Sequence, residues 1–173
     1  MNKVNPFLYQ NIDNSNHWII SEIILNQCKQ HPNNKIIQFV DGPEWSFDDL
    51  KNIAFEKAKI LRDLSIKQGD TVTVMVDDPI DFIPYWIASS FLGVMFVALN
   101  TALKGSVLLH QIRLANSNDI IVSDAYYEDV AQLVQENKSK IKVLNCSKLK
   151  STGMILEKDV YHGKISDEVC TMF

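Results

Sequence analysis

Three carboxylates, Asp77, Asp78 and Asp81, follow directly on the apolar run TVTVMV, residues 71–76. Acids placed there could hold a ligand, because sites in open α/β sheets lie beyond the carboxyl ends of the strands. The same spacing suits a turn leading into a helix, where carboxylates cap free N–H groups and meet the positive end of the helix dipole. The second reading is preferred. His17, His31, His110 and His162 share no local spacing with cysteines or carboxylates, so no metal site is assigned. His110 stands in an apolar helical run and reads as an ordinary interfacial side chain. Ser65, Ser89 and Ser90 lack a G-x-S-x-G elbow, which gives no hydrolase nucleophile. The six glycines, at 42, 69, 93, 105, 153 and 163, form neither GxGxxG nor GxxxxGK[ST], so neither phosphate-binding loop is present. Local chemistry therefore names no catalytic residue.

The surrounding composition is that of a folded domain. Of 173 residues, 46% are hydrophobic and 22% charged, close to the globular average. The net charge of −4 offers no basic footprint for nucleic acid. Cys28, Cys146 and Cys170 lie far apart and are odd in number, which fits a reducing cytoplasm better than a disulfide scaffold. The polar N-terminus lacks the apolar core of a signal peptide. Phe82 to Leu99 (FIPYWIASSFLGVMFVAL) carries no charge over a length at the lower limit of a membrane span. Pro84, Ser89, Ser90 and Gly93 interrupt it, and a core helix followed by a buried strand explains it better.

The elements that would position these residues alternate along the chain. Trp18 to Gln30 has a helical stripe of Ile20, Ile23, Ile24 and Cys28, ended by Pro32. KIIQFV is a strand that Asp41 and Gly42 turn back through Glu44 and Trp45. Ser46 and Asp49 have the spacing of a capping box, and the helix after them carries Leu50, Ile53, Ala54, Ala58, Leu61 and Leu64 on one face, ending near Gly69. Strands are predicted at Thr71–Val76, Val94–Leu99, Asp119–Ser123 and Ile141–Cys146, with helices near Asp81–Leu92, after a Ser106 cap, and over Tyr126–Glu136. This alternation predicts an α/β fold with a mostly parallel sheet flanked by helices. The chain reads as one partial domain. Residues 1–45 form a helix and hairpin, 46–146 a βαβ core, 147–164 a surface connector, and 165–173 the start of another buried strand.

Four blocks, in order, resemble the N-terminal region of the adenylate-forming (AMP-binding) superfamily of acyl-CoA synthetases. Trp45 to Leu50 (WSFDDL) is similar to the aromatic-[ST]-aromatic-x-[ED]-L start of its first long helix. Ile66 to Val72 (IKQGDTV) is similar to G-[IV]-x-x-G-D-x-V. Asp81 to Ile83, with Phe91 to Asn100 (FLGVMFVALN), resembles the E-F-[IV] and G-A-x-x-V-P-[LI]-N block. Asn116 to Asp124 (NSNDIIVSD) resembles the entry to a following strand. The blocks cover residues 17–146, and their flavour is nearest the carnitine- or crotonobetaine-CoA ligase group. Ala98 and Thr101 replace residues usual in the family, a proline and an arginine or proline.

The resemblance implies the N-terminal subdomain of an adenylate-forming enzyme. The complete enzyme would use ATP and Mg²⁺ to convert a small carboxylic acid to an acyl-adenylate, then pass the acyl group to CoA. In the family a segment like Ile165–Phe173 leads into the Ser/Thr/Gly-rich loop that holds the ATP phosphates; this chain is expected to stop just before it. The chain alone is therefore expected to be inactive, to bind no cofactor tightly, and to need the remainder of the ligase fold or a partner chain. A non-catalytic binding or assembly module derived from the family is the alternative. In some relatives the loop after the strand at Ile120–Ser123 approaches the phosphates of CoA with arginine. Here the candidate positions are Asp124, Tyr126 and Tyr127, followed by Glu128 and Asp129 with no positive charge, so the grip is expected to be poor.

Overall fold

The computed structural model describes residues 19–162 and the backbone of residues 170–172. Helix α1 (Ile20–Gln30) is followed by a two-stranded antiparallel hairpin, β1 (Lys35–Gln38) and β2 (Glu44–Ser46), and packs on the helix after it, α2 (Phe47–Asp63). The expected capping box is present. Ser46 Oγ accepts from Asp49 N–H at 3.1 Å, and Ser46 N–H donates to Asp49 Oδ2 at 2.9 Å. Helix α2 ends at Asp63, earlier than the sequence pattern suggests, and Ser65 takes a positive φ of 67° in the turn that follows.

Five parallel strands form the main sheet: β3 (Thr71–Met75), β4 (Met95–Ala98), β5 (Asp119–Val122), β6 (Lys142–Asn145) and β7 (Cys170–Met172). Their order is β6-β5-β3-β4-β7. The central strand β3 is buried on both faces, as its β-branched run requires in a parallel sheet. Val72 and Val74, with Phe96 and Ala98, pack under α1, α2 and α3 (Pro79–Leu92). Met75, Val97, Ile120 and Val122 face the opposite way, under α4 (Gly105–Ala115) and α5 (Asp124–Glu136). The buried hydroxyl of Thr73 on that second face lies 2.6 Å from Ser117 Oγ, which in turn donates to Asp119 O at 3.0 Å. This satisfies a polar group that burial would otherwise penalise.

The uncharged run at 82–99 is core. Helix α3 begins at Pro79, with Asp78 Oδ1 accepting from Ile80 N–H at 2.8 Å, and it ends at Gly93. Gly93 adopts φ 64°, the left-handed position where a helix C-terminus favours glycine, and β4 follows at once. Tyr85, Ala88, Phe91 and Phe96 are fully buried. Among the described residues, no helix is long and apolar enough to cross a membrane.

Two local expectations are corrected. Ser106 does not cap α4: the helix starts at Gly105 behind Lys104, which makes no side-chain cap. The connector after β6 is not all surface, since Ile155 and Val160 are buried and Glu157–Asp159 winds into a 3₁₀ turn. Trp18, at the expected start of α1, residues 163–164 of the expected connector, and residues 165–169 and 173 of the expected final strand lie outside the described residues.

Candidate functional site

The carboxyl edge of the sheet gathers the acids that the sequence placed after β3. Asp77 Oδ1 accepts from Ser123 Oγ at 2.9 Å, and Asp77 Oδ2 accepts from Tyr126 OH at 3.2 Å. These bonds join the end of β3 to the start of α5, across the β3/β5 crevice where connections leave to opposite faces. Burial acts to raise the Asp77 pKa. The hydrogen bonds from Ser123, its own backbone N–H, Tyr126 and the Asp78 N–H outweigh it and hold the carboxyl below its ordinary range. Asp78 is the α3 cap, and Asp81 pairs with Lys57 Nζ at 2.6 Å. The three acids thus take three separate structural tasks and do not converge.

The candidate loop is the first turn of α5. Asp124 Oδ1 and Asn145 Oδ1 each lie 2.8 Å from Ser147 Oγ. Hydrogen bonds from Asn145 and Ser147, with the nearby charge of Lys148, lower the Asp124 pKa. Tyr126 is engaged by Asp77, and Lys148 Nζ sits 5.6 Å from the centre of the Tyr127 ring. Lys148 is the residue that a local reading misses. It arrives from the 3₁₀ turn Cys146–Lys148, which β6 brings alongside α5.

On the other face, Lys57 Nζ also lies 4.7 Å over the Tyr85 ring, close to Asp81 and Cys146. Burial, reinforced by the Asp81 charge and opposed by Lys57, pushes the Cys146 thiol up to about 11. Burial likewise raises Tyr85, with Cys146 and Asp81 adding to it. Both groups are therefore held protonated, and neither has the low pKa of an activated nucleophile. Beside α5, a cavity of about 200 Å³ opens between the α4 start and α5, floored by Met75, Leu108 and Leu133 and rimmed by Lys104 and Asp129.

His31 and His110 are exposed, His162 Nδ1 meets Glu22 Oε1 at 2.5 Å, and His17 lies outside the described residues. No group of three His, Cys, Asp or Glu side chains able to hold a metal occurs among the described residues. The edge presents Asp77, Asp78, Asp124 and Asp129 against Lys104 and Lys148, a donor set that does not fit a polyphosphate. The carboxyl edge is thus rich in carboxylates, and Asp77, Asp78 and Asp124 are each hydrogen-bonded within the protein.

The chain belongs to the AMP-binding enzyme family, whose model matches residues 24–169. It is 24% identical over 136 residues to human long-chain fatty acid transport protein 6, covering 78% of this chain and 22% of that protein. It is 28% identical over 110 residues to the 2-succinylbenzoate–CoA ligase of Oceanobacillus iheyensis, covering 64% of this chain and 22% of the ligase. The chain thus spans about a fifth of the length of these curated relatives. The fold of a Mycobacterium tuberculosis fatty acyl CoA synthetase superposes with a TM-score of 0.81 at 14% identity, covering 92% of this chain and 33% of that one. A Bacillus subtilis o-succinylbenzoate CoA synthetase superposes with a TM-score of 0.73 at 17% identity, covering 86% of this chain and 30% of the other.

Proposed function

We propose that this chain forms the N-terminal part of an ATP-dependent, AMP-forming acyl- or aryl-CoA synthetase. The observation that carries the reading is the family match across residues 24–169 together with a sheet that superposes on solved synthetases. In this reading the complete enzyme activates a carboxylic acid to an acyl-adenylate with ATP and Mg²⁺ and transfers the acyl group to CoA. The present residues supply the scaffold. The groups that stabilise charge on the transferring phosphate come from the remainder of the fold, because the carboxyl edge here offers carboxylates where such charge needs donors and cations. The carnitine- or crotonobetaine-like flavour of the motifs is a finer proposal that an acid panel decides. The unpaired thiols Cys28 and Cys146 fit a reducing cytoplasm. The exposed Val107 and Leu114 of α4 fit a surface that the remaining fold, or self-association, covers.

The test is ATP–pyrophosphate exchange over a panel of carboxylic acids. The chain alone should give no exchange, and the chain fused to a synthetase remainder beginning at the phosphate loop should give it. Robust exchange by the chain alone would remove the scaffold reading. A folded but inactive fusion would favour a non-catalytic assembly module.

A further inference from the structure

Helices α4 and α5 carry opposite charge. Residues 104–115 hold Lys104, His110 and Arg113 and no acid, while α5 holds Asp124, Glu128, Asp129 and Glu136 and no lysine or arginine. All of these residues are exposed. The two helices share one layer over the second face of the sheet, yet no ion pair joins them among the described residues. Lys104, Arg113, Glu128 and Asp129 enter no ion pair with any described residue. Lys148 reaches α5 at Tyr127, which does not line the cavity beside α4.

Apolar groups accompany the cations. Val107 and Leu114, seven residues apart and so on one side of α4, are each 55% exposed, while Leu108, Leu109 and Ile112 are buried. The cavity between the α4 start and α5 has an apolar floor of Met75, Leu108 and Leu133, and Asp129 and Glu136 line its α5 side. One half of the layer thus offers two apolar knobs with cations. The other half offers an apolar recess with carboxylates. A surface complementary to itself is what a two-fold symmetric pair requires.

We propose that this layer docks on a second copy of the chain, with α4 of each copy over α5 of the other about a two-fold axis parallel to the helices. Lys104 and Arg113 then face carboxylates of the other copy, and symmetry makes that attraction twice. Val107 and Leu114 leave water against the recess. An anionic lipid surface suits the layer less well, because the α5 carboxylates repel it. With helices about 16 and 20 Å long and about 10 Å wide, the pair buries on the order of 1,000 Å², the low end for a specific interface. The dimer is therefore reversible, with a Kd of roughly 1–100 μM. The inference goes beyond the synthetase reading and does not rest on it.

The test is sedimentation equilibrium of the full chain across roughly the 1–100 μM range. Raising NaCl from about 0.05 to 0.5 M should weaken the dimer several-fold. Two charge-reversed chains locate the surface. Lys104→Glu with Arg113→Glu makes both helices acidic, and Glu128→Lys with Asp129→Lys and Glu136→Lys makes both basic. Each reversed chain alone should show a Kd raised at least about tenfold, and mixing the two should restore a one-to-one heterodimer. Val107→Ser with Leu114→Ser should raise the Kd by about tenfold as well. A wild-type chain that stays monomeric throughout would overturn the proposal. So would a dimer unchanged by the reversals, or reversed chains that do not rescue each other. Dimerisation by the chain, but not by the chain fused to a synthetase remainder, would assign the face to the rest of that fold and overturn it too. If a reversed chain does not fold, the serine variant and the salt dependence decide.

Discussion

Ser123 Oγ donates to Asp77 Oδ1 at 2.9 Å, a bond between residues 46 apart in sequence that ties the end of β3 to the start of α5. It fixes the crevice between adjacent strands whose connections leave to opposite faces of the sheet. Such a crevice is the usual ligand position in open α/β folds, and here hydrogen bonds within the protein span it.

Asp77 should also shape the acid limb of stability. Its carboxyl is held below the ordinary range, as are those of Asp49, Asp63 and Asp124. A carboxyl depressed in the folded state stabilises above its unfolded pKa of about 3.9, and that contribution is lost as pH falls through the folded value. Asp119, raised by burial, acts in the opposite sense. Asp77→Asn should cost about 1 kcal/mol at pH 7 and clearly less at pH 3. Urea midpoints at the two pH values measure this. An equal loss at both would show that the charge is not involved.

Phe91 should be a large determinant of stability. It is fully buried, and its ring stands edge-on to Phe55 with centroids 5.0 Å apart. Phe91→Ala should cost about 3–5 kcal/mol, from lost burial and the cavity left behind. For a chain of this size that lowers Tm by on the order of 10 °C. Thermal unfolding followed by circular dichroism checks it, and a shift under 3 °C would contradict the core assignment of the uncharged run.

The thiols of Cys28 and Cys146 should be unreactive in the native state. Both are buried, and burial raises both pKa values, that of Cys146 to about 11. In a Cys170→Ser background, Ellman's reagent at pH 8 should label neither until urea unfolds the chain. Rapid labelling of one thiol without denaturant would contradict the packing of Cys28 against α2 or of Cys146 against Tyr85.

The isolated chain should not bind CoA at micromolar concentration. Lys148 adds one cation beside Tyr127, but Asp124, Glu128 and Asp129 lie on the same α5 turns. Carboxylates facing a phosphate repel it, and one partly screened lysine does not reverse the balance. Calorimetric titration with CoA should show dilution heat only. Saturable heat that Lys148→Glu abolishes would reverse this conclusion.

Local sequence determined the elements. The capping box of Ser46 and Asp49, the helix stop at Gly93 and the β-branched run of β3 rest on interactions within a few residues, and each is present. Alternation of those elements, and motif blocks in family order, were enough to indicate a parallel α/β sheet and the family. Starts were less legible, as α4 shows: Ser106 has the right chemistry for a cap, yet the chain enters the helix two residues sooner, behind Lys104. Tertiary structure decided which polar groups meet. Asp77 with Ser123 and Tyr126, Lys148 with Tyr127, and Tyr161 with Gly93 all join segments separated by at least one strand. Their partnership depends on strand order and on the path of residues 149–162, neither of which a short window encodes. The acids after β3 looked like a cluster because they are close in sequence. The sheet and the two helix layers pull their side chains to Ser123, to the α3 N-terminus and to Lys57, and so divide them.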